Sequence, residues 1–337
     1  EHLTGEDVLE RVRTVLQRNF SYWGTVESNI DEVVFTPIGN DATRVAALIS
    51  GEIDMVLDPP VQDIGKLKEN KSLKILEGNE NRTIFLNFDP GRSELLYSSV
   101  KGKNPFKDKR VRQAFYQAID VNAINKAVMR GLSVPTAVNL PNPTRAGIPK
   151  EMDKRYPYDV AAAKKLLAEA GYPNGFEVTL DCPNNRYIND EKICVALAGM
   201  WAQRKLKIKV NAMPRATYFP KLEKLDTSLY MLGWGGSITD AETTFTPIYR
   251  NRGAGGVGSY NYGNYTDDKL DAVAAAQSRE ADPERRKALI KEAFKLHNDA
   301  VHHIPLHRQF IPWAARNNVA VVQRADNWRE WQWVTVK

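Results

Sequence analysis

Cysteine is scarce in this chain, with two in 337 residues. Cys182 and Cys194 flank "PNNRYINDEKI", a spacing too long for the short half-site of structural zinc, and no histidine lies near them. Two readings stay open from the residues: a pair of buried free thiols, or one disulfide in an exported chain. Histidine is thin as well, at five residues. His2 stands alone, while His297, His302, His303 and His307 gather around "HHIPLH". Strand alternation puts His303 and His307 on one face and His302 on the other, with no carboxylate or cysteine to complete a metal set. Packing or surface exposure is therefore expected of them, and no metal.

Other absences narrow the function. No window reaches the unbroken apolar length of a membrane span, and no basic-then-apolar leader opens the chain. The opening "EHLTGEDVLE" has no initiator methionine, from which we expect that residues upstream were removed. Charge of one sign is not in excess: 47 basic against 41 acidic residues gives +6. The densest basic stretch, "KGKNPFKDKR", contains Asp108 and no aromatic platform, so a nucleic-acid partner is not expected. "GGVGSYNYGNYTDD" lacks the spacing of a phosphate cradle, and no G-x-S-x-G elbow occurs. There is no internal repeat and no low-complexity tract.

What remains is an alternation of helix and strand signals. "DATRVAALISGE" starts at Asp41, read as the N-cap, and stops at Gly51, with Val45, Leu48 and Ile49 on one face. "IDMV" and "RTIFLNF" read as strands, "KDKRVRQAFYQAID" as a helix, and "YPYDVAAAKKLLAEAGYPNG" as a helix capped by Asp159 and ended by Gly171. "FEVTLDC", "IKVNAMP" and "LYMLGW" read as strands. Helices follow at "DDKLDAVAAAQSRE" and "DPERRKALIKEAFKLHNDA", the latter with Leu289, Ala293, Leu296 and Ala300 set for burial. "HIPLHRQF" and "VAVVQ" close the chain as strands. The stretch 130–149, rich in proline, glycine and asparagine, is expected to run over the surface.

Two places carry candidate chemistry. Trp234 sits at a strand end in "LYMLGWGG", between glycines. It is either a core tryptophan whose glycines relieve crowding or an indole platform facing a ligand beyond the strand's carboxyl end. Asn184, Arg186 and Tyr187 lie in the loop after "FEVTLDC". They are either a solvated loop in which Arg186 pairs with Asp190 or Glu191, or a site for a carboxylate or sugar hydroxyls.

In order along the chain, "RNFSYWG", "DEVVFTPIGNDATRVAALISGEIDMV", "NPFKDKRVRQAFYQAID", "YPYDVAAAKKLLAEAGYPNGFEVTL", "ATYFPKL", "LYMLGWGG", "YNYGNYTDDKLDAV" and "DPERRKALIKEAFKLHNDAVHHIPLH" resemble segments of the extracytoplasmic solute-binding proteins of the peptide/nickel/oligosaccharide class of ABC importers. The resemblance covers nearly the whole chain. It implies an α/β, periplasmic-binding-protein-like (type II) fold with two lobes joined by crossing strands, expected near 82–88 and 303–310. Members carry a substantial portion before "RNFSYWG", so we expect the N-terminal part of the first lobe to be missing. The implied division is 1–84 as its remnant, 85–304 as a complete lobe, and 305–337 as the return.

The resemblance tips Trp234 toward ligand contact. In the peptide-binding members an acid three positions later holds the ligand's ammonium; here Ser237 stands there, and Asp240 is the nearest substitute through a loop shift. A ligand ammonium against a hydroxyl would forfeit a charge-assisted bond, which argues against an ordinary peptide N-terminus. The expected ligand set is Trp234, Ser237, Asp240, Asn184, Arg186, Tyr187, Asn87 on the first crossing strand, and Tyr260. The oxidising compartment implied for this class favours a Cys182–Cys194 bridge that stiffens the recognition loop. The expected function is capture of a peptide-like, opine-like or oligosaccharide solute, without cofactor or catalysis, and delivery to ABC permease subunits in the inner membrane. A periplasmic or lipid-anchored monomer is expected. A nickel or metallophore receptor and a glycan or peptide hydrolase are the alternatives.

Overall fold

A computed structural model describes residues 13–236 and 238–337. They divide into two compact units: residues 81–309, and the described residues up to 80 together with 310–337. His2 and Ser237 lie outside the described residues.

The smaller unit holds an antiparallel pair, β1 (Thr14–Gln17) and β2 (Glu32–Phe35), in register Thr14↔Phe35. Helix α1 (Asp41–Ser50), strand β3 (Met55–Leu57) and helix α2 (Ile64–Glu69) follow. The cap of α1 is Asn40, whose Oδ1 accepts from the Thr43 N–H at 3.0 Å, rather than Asp41. Both residues can cap, but only Asn40 has the extended backbone that a cap requires, and Asp41 pairs instead with Arg44. Gly51 ends the helix at φ +85°, in the left-handed region that favours glycine. The small core is Leu48, Val56, Leu67, Leu73 and Ala314; Ile49, expected on that face, is exposed.

The larger unit is a sheet between two helical layers. Strand β4 (Leu73–Phe88) enters it and β9 (His303–Arg316) leaves it. Between them come helices α3 (Lys109–Gln117) and α4 (Val121–Ala127), strand β5 (Ser133–Pro135), helix α5 (Val160–Glu169), strand β6 (Glu177–Pro183), helix α6 (Asp190–Ala202) and strand β7 (Lys207–Met213). Helix α7 (Arg215–Glu223), strand β8 (Leu229–Gly235), helix α8 (Asp268–Gln277) and helix α9 (Pro283–Ala300) complete it. The strand order runs β9-β4-β8-β6-β7, with β5 paired to β9. β6 is parallel to both β7 and β8, while β4 is antiparallel to β8. The outer strand β7 shows Lys207 and Lys209 to solvent.

Near-continuous burial of β4 over 83–88 and of β8 explains their apolar runs: both faces are covered there. Ile84, Leu86 and Phe88 face α3, α5 and α6, around Phe106, Phe115, Leu167 and Trp201. Phe85, Tyr230 and Leu232 face α7, α8 and α9, around Tyr218, Tyr249, Tyr265 and Phe294.

The structure corrects several expectations here. Residues 130–149 do not run over the surface; Ala137, Val138, Asn139 and Leu140 are buried. Their backbone finds partners: β5 pairs with β9, Thr136 N–H donates to Leu306 O, and Asp153 Oδ1 accepts from Ala137 N–H at 2.6 Å. Helix α9 buries Ile290, Ala293, Phe294 and His297; of the expected stripe Ala293 is buried and Leu296 packs partly against the same core, while Leu289 and Ala300 are half-buried. His297, His302, His303 and His307 are all buried, as packing and not surface exposure requires, and Asp267 at the start of α8 gives His302 the carboxylate absent from its local sequence. Of "VAVVQ", only Val319–Ala320 forms a strand, β10, against β11 (Thr335–Val336).

Candidate functional site

Three parallel strands, β6, β7 and β8, deliver their carboxyl ends to one edge of the larger unit, the position where open α/β sheets place ligands. Trp234 is half-buried there. Its Nε1–H donates to Thr243 O at 2.9 Å, and its ring meets Tyr260 edge-on with centroids 4.8 Å apart. The indole N–H is thus committed to the protein, and what the site can offer a ligand is the aromatic surface.

The flanking glycines serve protein neighbours. A Cβ on Gly233 would lie 2.8 Å from Ile84 Cδ1 and 2.5 Å from the Tyr187 ring. One on Gly235 would lie 2.9 Å from Arg82 Cα. The crowding reading therefore accounts for Gly-Trp-Gly: the glycines let a tyrosine and the β4 backbone close onto β8.

Tyr187 is buried against that Gly233 surface, on the opposite face of β8 from Trp234. Two guanidinium groups flank its ring, with Arg186 Cζ 5.0 Å and Arg82 Cζ 6.0 Å from the centroid. The loop itself is fixed by Asp190, whose Oδ2 accepts from the N–H groups of Arg186 (2.9 Å) and Tyr187 (3.0 Å). Burial pushes the Asp190 carboxyl up, opposed by those N–H bonds. Asn185 Oδ1 accepts from the Arg215 N–H at 2.7 Å, tying the loop to α7. Asn184 is exposed at the tip, with its N–H on Met213 O. Cys182 and Cys194 are bonded to each other, both fully buried, closing the loop onto α6.

Asp240 lies beyond β8 with a resident partner. Arg286 reaches its two oxygens at 2.7 and 2.8 Å, and the Glu242 N–H donates to it at 2.8 Å. The Arg286 hydrogen bonds hold its carboxyl below the usual range. A ligand ammonium would have to compete with that guanidinium.

Asn87 does not join the group. It pairs with Tyr230, four residues before Trp234, or about 13 Å along the strand. It is buried, and neither amide atom has a partner among the described residues. Local sequence missed Arg82 and Arg286. Arg82 lay inside a segment read only for its apolar residues, and Arg286 is paired with Asp240 by packing across 46 positions. Among the described residues no three His, Cys, Asp or Glu side chains are grouped to hold a metal ion. In the smaller unit, a cavity of about 240 Å³ lies between the β1–β2 pair and the turn at Trp331, lined by Leu16, Tyr22 and Val33 among others. None of the expected ligand residues lines it.

A profile of the bacterial extracellular solute-binding proteins, family 5 (middle region), matches residues 7–256. The chain belongs to this family. Heme-binding protein A of Haemophilus influenzae is 28% identical over 287 residues, covering 83% of this chain and 49% of the relative. Glutathione-binding protein GsiB of Salmonella choleraesuis is 26% identical over 278 residues, covering 81% and 51%. The periplasmic binding protein DppA of Helicobacter pylori, solved in complex with the peptide STSA, superposes with a TM-score of 0.82 at 22% identity, covering 96% of this chain and 60% of that one. The family 5 chain described here thus has the mixed α/β fold of type II periplasmic binding proteins, and it spans about half the length of the curated relatives it matches. Those relatives are named as binding proteins, and the family as extracellular.

Proposed function

We propose that this family 5 chain forms the ligand-holding wall of an ABC importer's solute receptor. It captures a small organic solute at the carboxyl ends of β6, β7 and β8 and passes it to permease subunits outside the cytoplasm, by binding and without turnover. The observation that carries this reading is Trp234: a half-buried indole at a strand end, steadied by Thr243 and Tyr260, with aromatic surface to spare. The two guanidinium groups beside Tyr187 favour a ligand that also carries a carboxylate or several hydroxyls, since guanidinium matches planar acids in two-point contact. Asp240, already matched by Arg286, disfavours a ligand recognised through an ammonium alone.

The test is isothermal calorimetry with glutathione, a tetrapeptide and a sugar acid, on the native protein and on Trp234→Ala and Arg186→Gln. The reading expects at least one acidic compound to bind, at least tenfold more weakly to either variant. Equal affinity in all three proteins overturns the assignment of this edge.

A further inference from the structure

The segment that steadies Trp234 and Tyr260 is itself held by buried histidines. Residues 242–249 form a short helical turn running into a π-helical turn. This segment supplies Thr243 O to Trp234, Pro247 O to the Tyr260 N–H (2.9 Å) and Thr246 O to the Gly258 N–H (2.8 Å). Its last residue, Tyr249, stacks on His297 with centroids 3.8 Å apart and planes 3° from parallel, and its hydroxyl donates to Asn139 Oδ1.

Those contacts fix the protons. Because Asn139 Oδ1 accepts from Tyr249, its Nδ2–H must donate to His303 Nδ1, 3.0 Å away. His297 Nε2, 2.7 Å from the same Nδ1, must then also donate. His303 Nδ1 is therefore a lone pair receiving two donors, and His303 carries its proton on Nε2. On the other side of the loop, Tyr265 stacks on His302 at 4.1 Å and donates to Ile248 O (2.8 Å) and Tyr249 O (2.9 Å). His302 Nε2 meets Asp267 Oδ2 at 3.1 Å.

We infer that His297, His303 and Asn139 are positioning residues for the aromatic wall, and that a proton arriving at His303 Nδ1 releases residues 242–266. This rests on the reading that Trp234 and Tyr260 face the ligand. A proton on that nitrogen would set three donors toward one another in a site closed to water, so the Tyr249 and Tyr265 anchors would have to part. The other charged or titratable groups around the cluster do not absorb the charge. Asp267 is engaged by His302 and the N-terminus of α8, and Asp271 by Arg250. Arg112, on carbonyls 300 and 301, adds positive charge. Tyr249 and Tyr265 are held protonated by burial. Burial and the neighbouring histidines also keep His297 and His303 neutral well below their ordinary range.

Hydrogen exchange read by mass spectrometry at pH 7.5 and 5.5, corrected for intrinsic rates, tests this without any ligand. Residues 245–266 should lose protection at least tenfold at pH 5.5, while residues 109–117 hold theirs. In the variant His297→Gln with His303→Asn, which keeps one donor and one acceptor but no titratable ring, the loss should vanish. Equal protection at both pH values in the native protein, or the same loss in the variant, overturns the inference. Should the variant not fold, the nitrogen shifts of labelled histidine in the native protein decide it. His303 must appear as the Nε2–H form down to pH 5.5, coincident with the onset of exchange; a ring titrating freely near 6.5 overturns it. Because no ligand enters, a failed ligand assignment and a failed histidine latch give different results.

Discussion

The two faces of the larger unit's sheet are buried alike but built differently. Toward α3, α5 and α6 the packing is Phe88, Phe106, Phe115 and Phe176 against Trp201, with the Cys182–Cys194 bond among them. Toward α7, α8 and α9 the aliphatic and phenylalanine side chains are joined by Tyr218, Tyr230, Tyr249, Tyr262 and Tyr265, and the hydroxyls have work: Tyr218 donates to Met231 O, Tyr230 accepts from the Gly263 N–H at 2.9 Å, and Tyr265 spans two carbonyls. Burial raises the pKa of Tyr218, Tyr230 and Tyr265, so they remain protonated. An apolar face is held by area and volume, which pH does not touch. A hydrogen-bonded face fixes the exact placement of the loops it carries, and it titrates.

Breaking the apolar face should have the largest effect. Phe115→Ala removes a ring that lies 5.1 Å from Trp201 and 5.2 Å from Phe106, and should cost about 3–5 kcal/mol in urea unfolding at any pH from 5 to 8. Replacing Cys182 and Cys194 together by Ala should cost about 3 kcal/mol, from a closed loop with a separation of 12, and should raise exchange in residues 184–189 above that of β6. The polar face gives the smallest and the only pH-dependent effect. His307 is buried with neither ring nitrogen partnered among the described residues, and burial, then Arg155, pushes its pKa down to about 3. The unfolded chain takes up a proton near 6.5 that the folded chain refuses. Stability is therefore flat above that pH and falls below it, by about 2 kcal/mol between pH 6.5 and 5. His297, His302 and His303, also held neutral by burial, add to the same fall, so His307→Asn should lessen the slope by its own share, read from urea midpoints across the range.

Much of the secondary structure was legible because its signals are local. Asp159 caps α5 through the Ala162 N–H at 2.8 Å, Asp282 caps α9 through Arg285, and β6, β7 and β8 lie where β-branched and apolar runs placed them. What failed depended on partners distant in sequence. Residues 130–149 carry every mark of a surface loop, and partners distant in sequence, β9, Asp153, Thr83 and Tyr249 among them, make their burial possible. The histidines looked solitary because Asn139, Tyr249 and Asp267 approach from other elements. At the site, a strand end bearing a tryptophan could be read from "LYMLGWGG", but not the Tyr187 ring that makes Gly233 necessary, nor the guanidinium already resting on Asp240.

The outer strand β7 closes this sheet with Lys207 and Lys209 turned to water. A free strand edge is a template on which another chain can add itself, and two ammonium groups there would have to be stripped of hydration and brought against their like for two copies to join. The sheet can thus stay unfinished on that side and still be a poor template for a second copy of the chain.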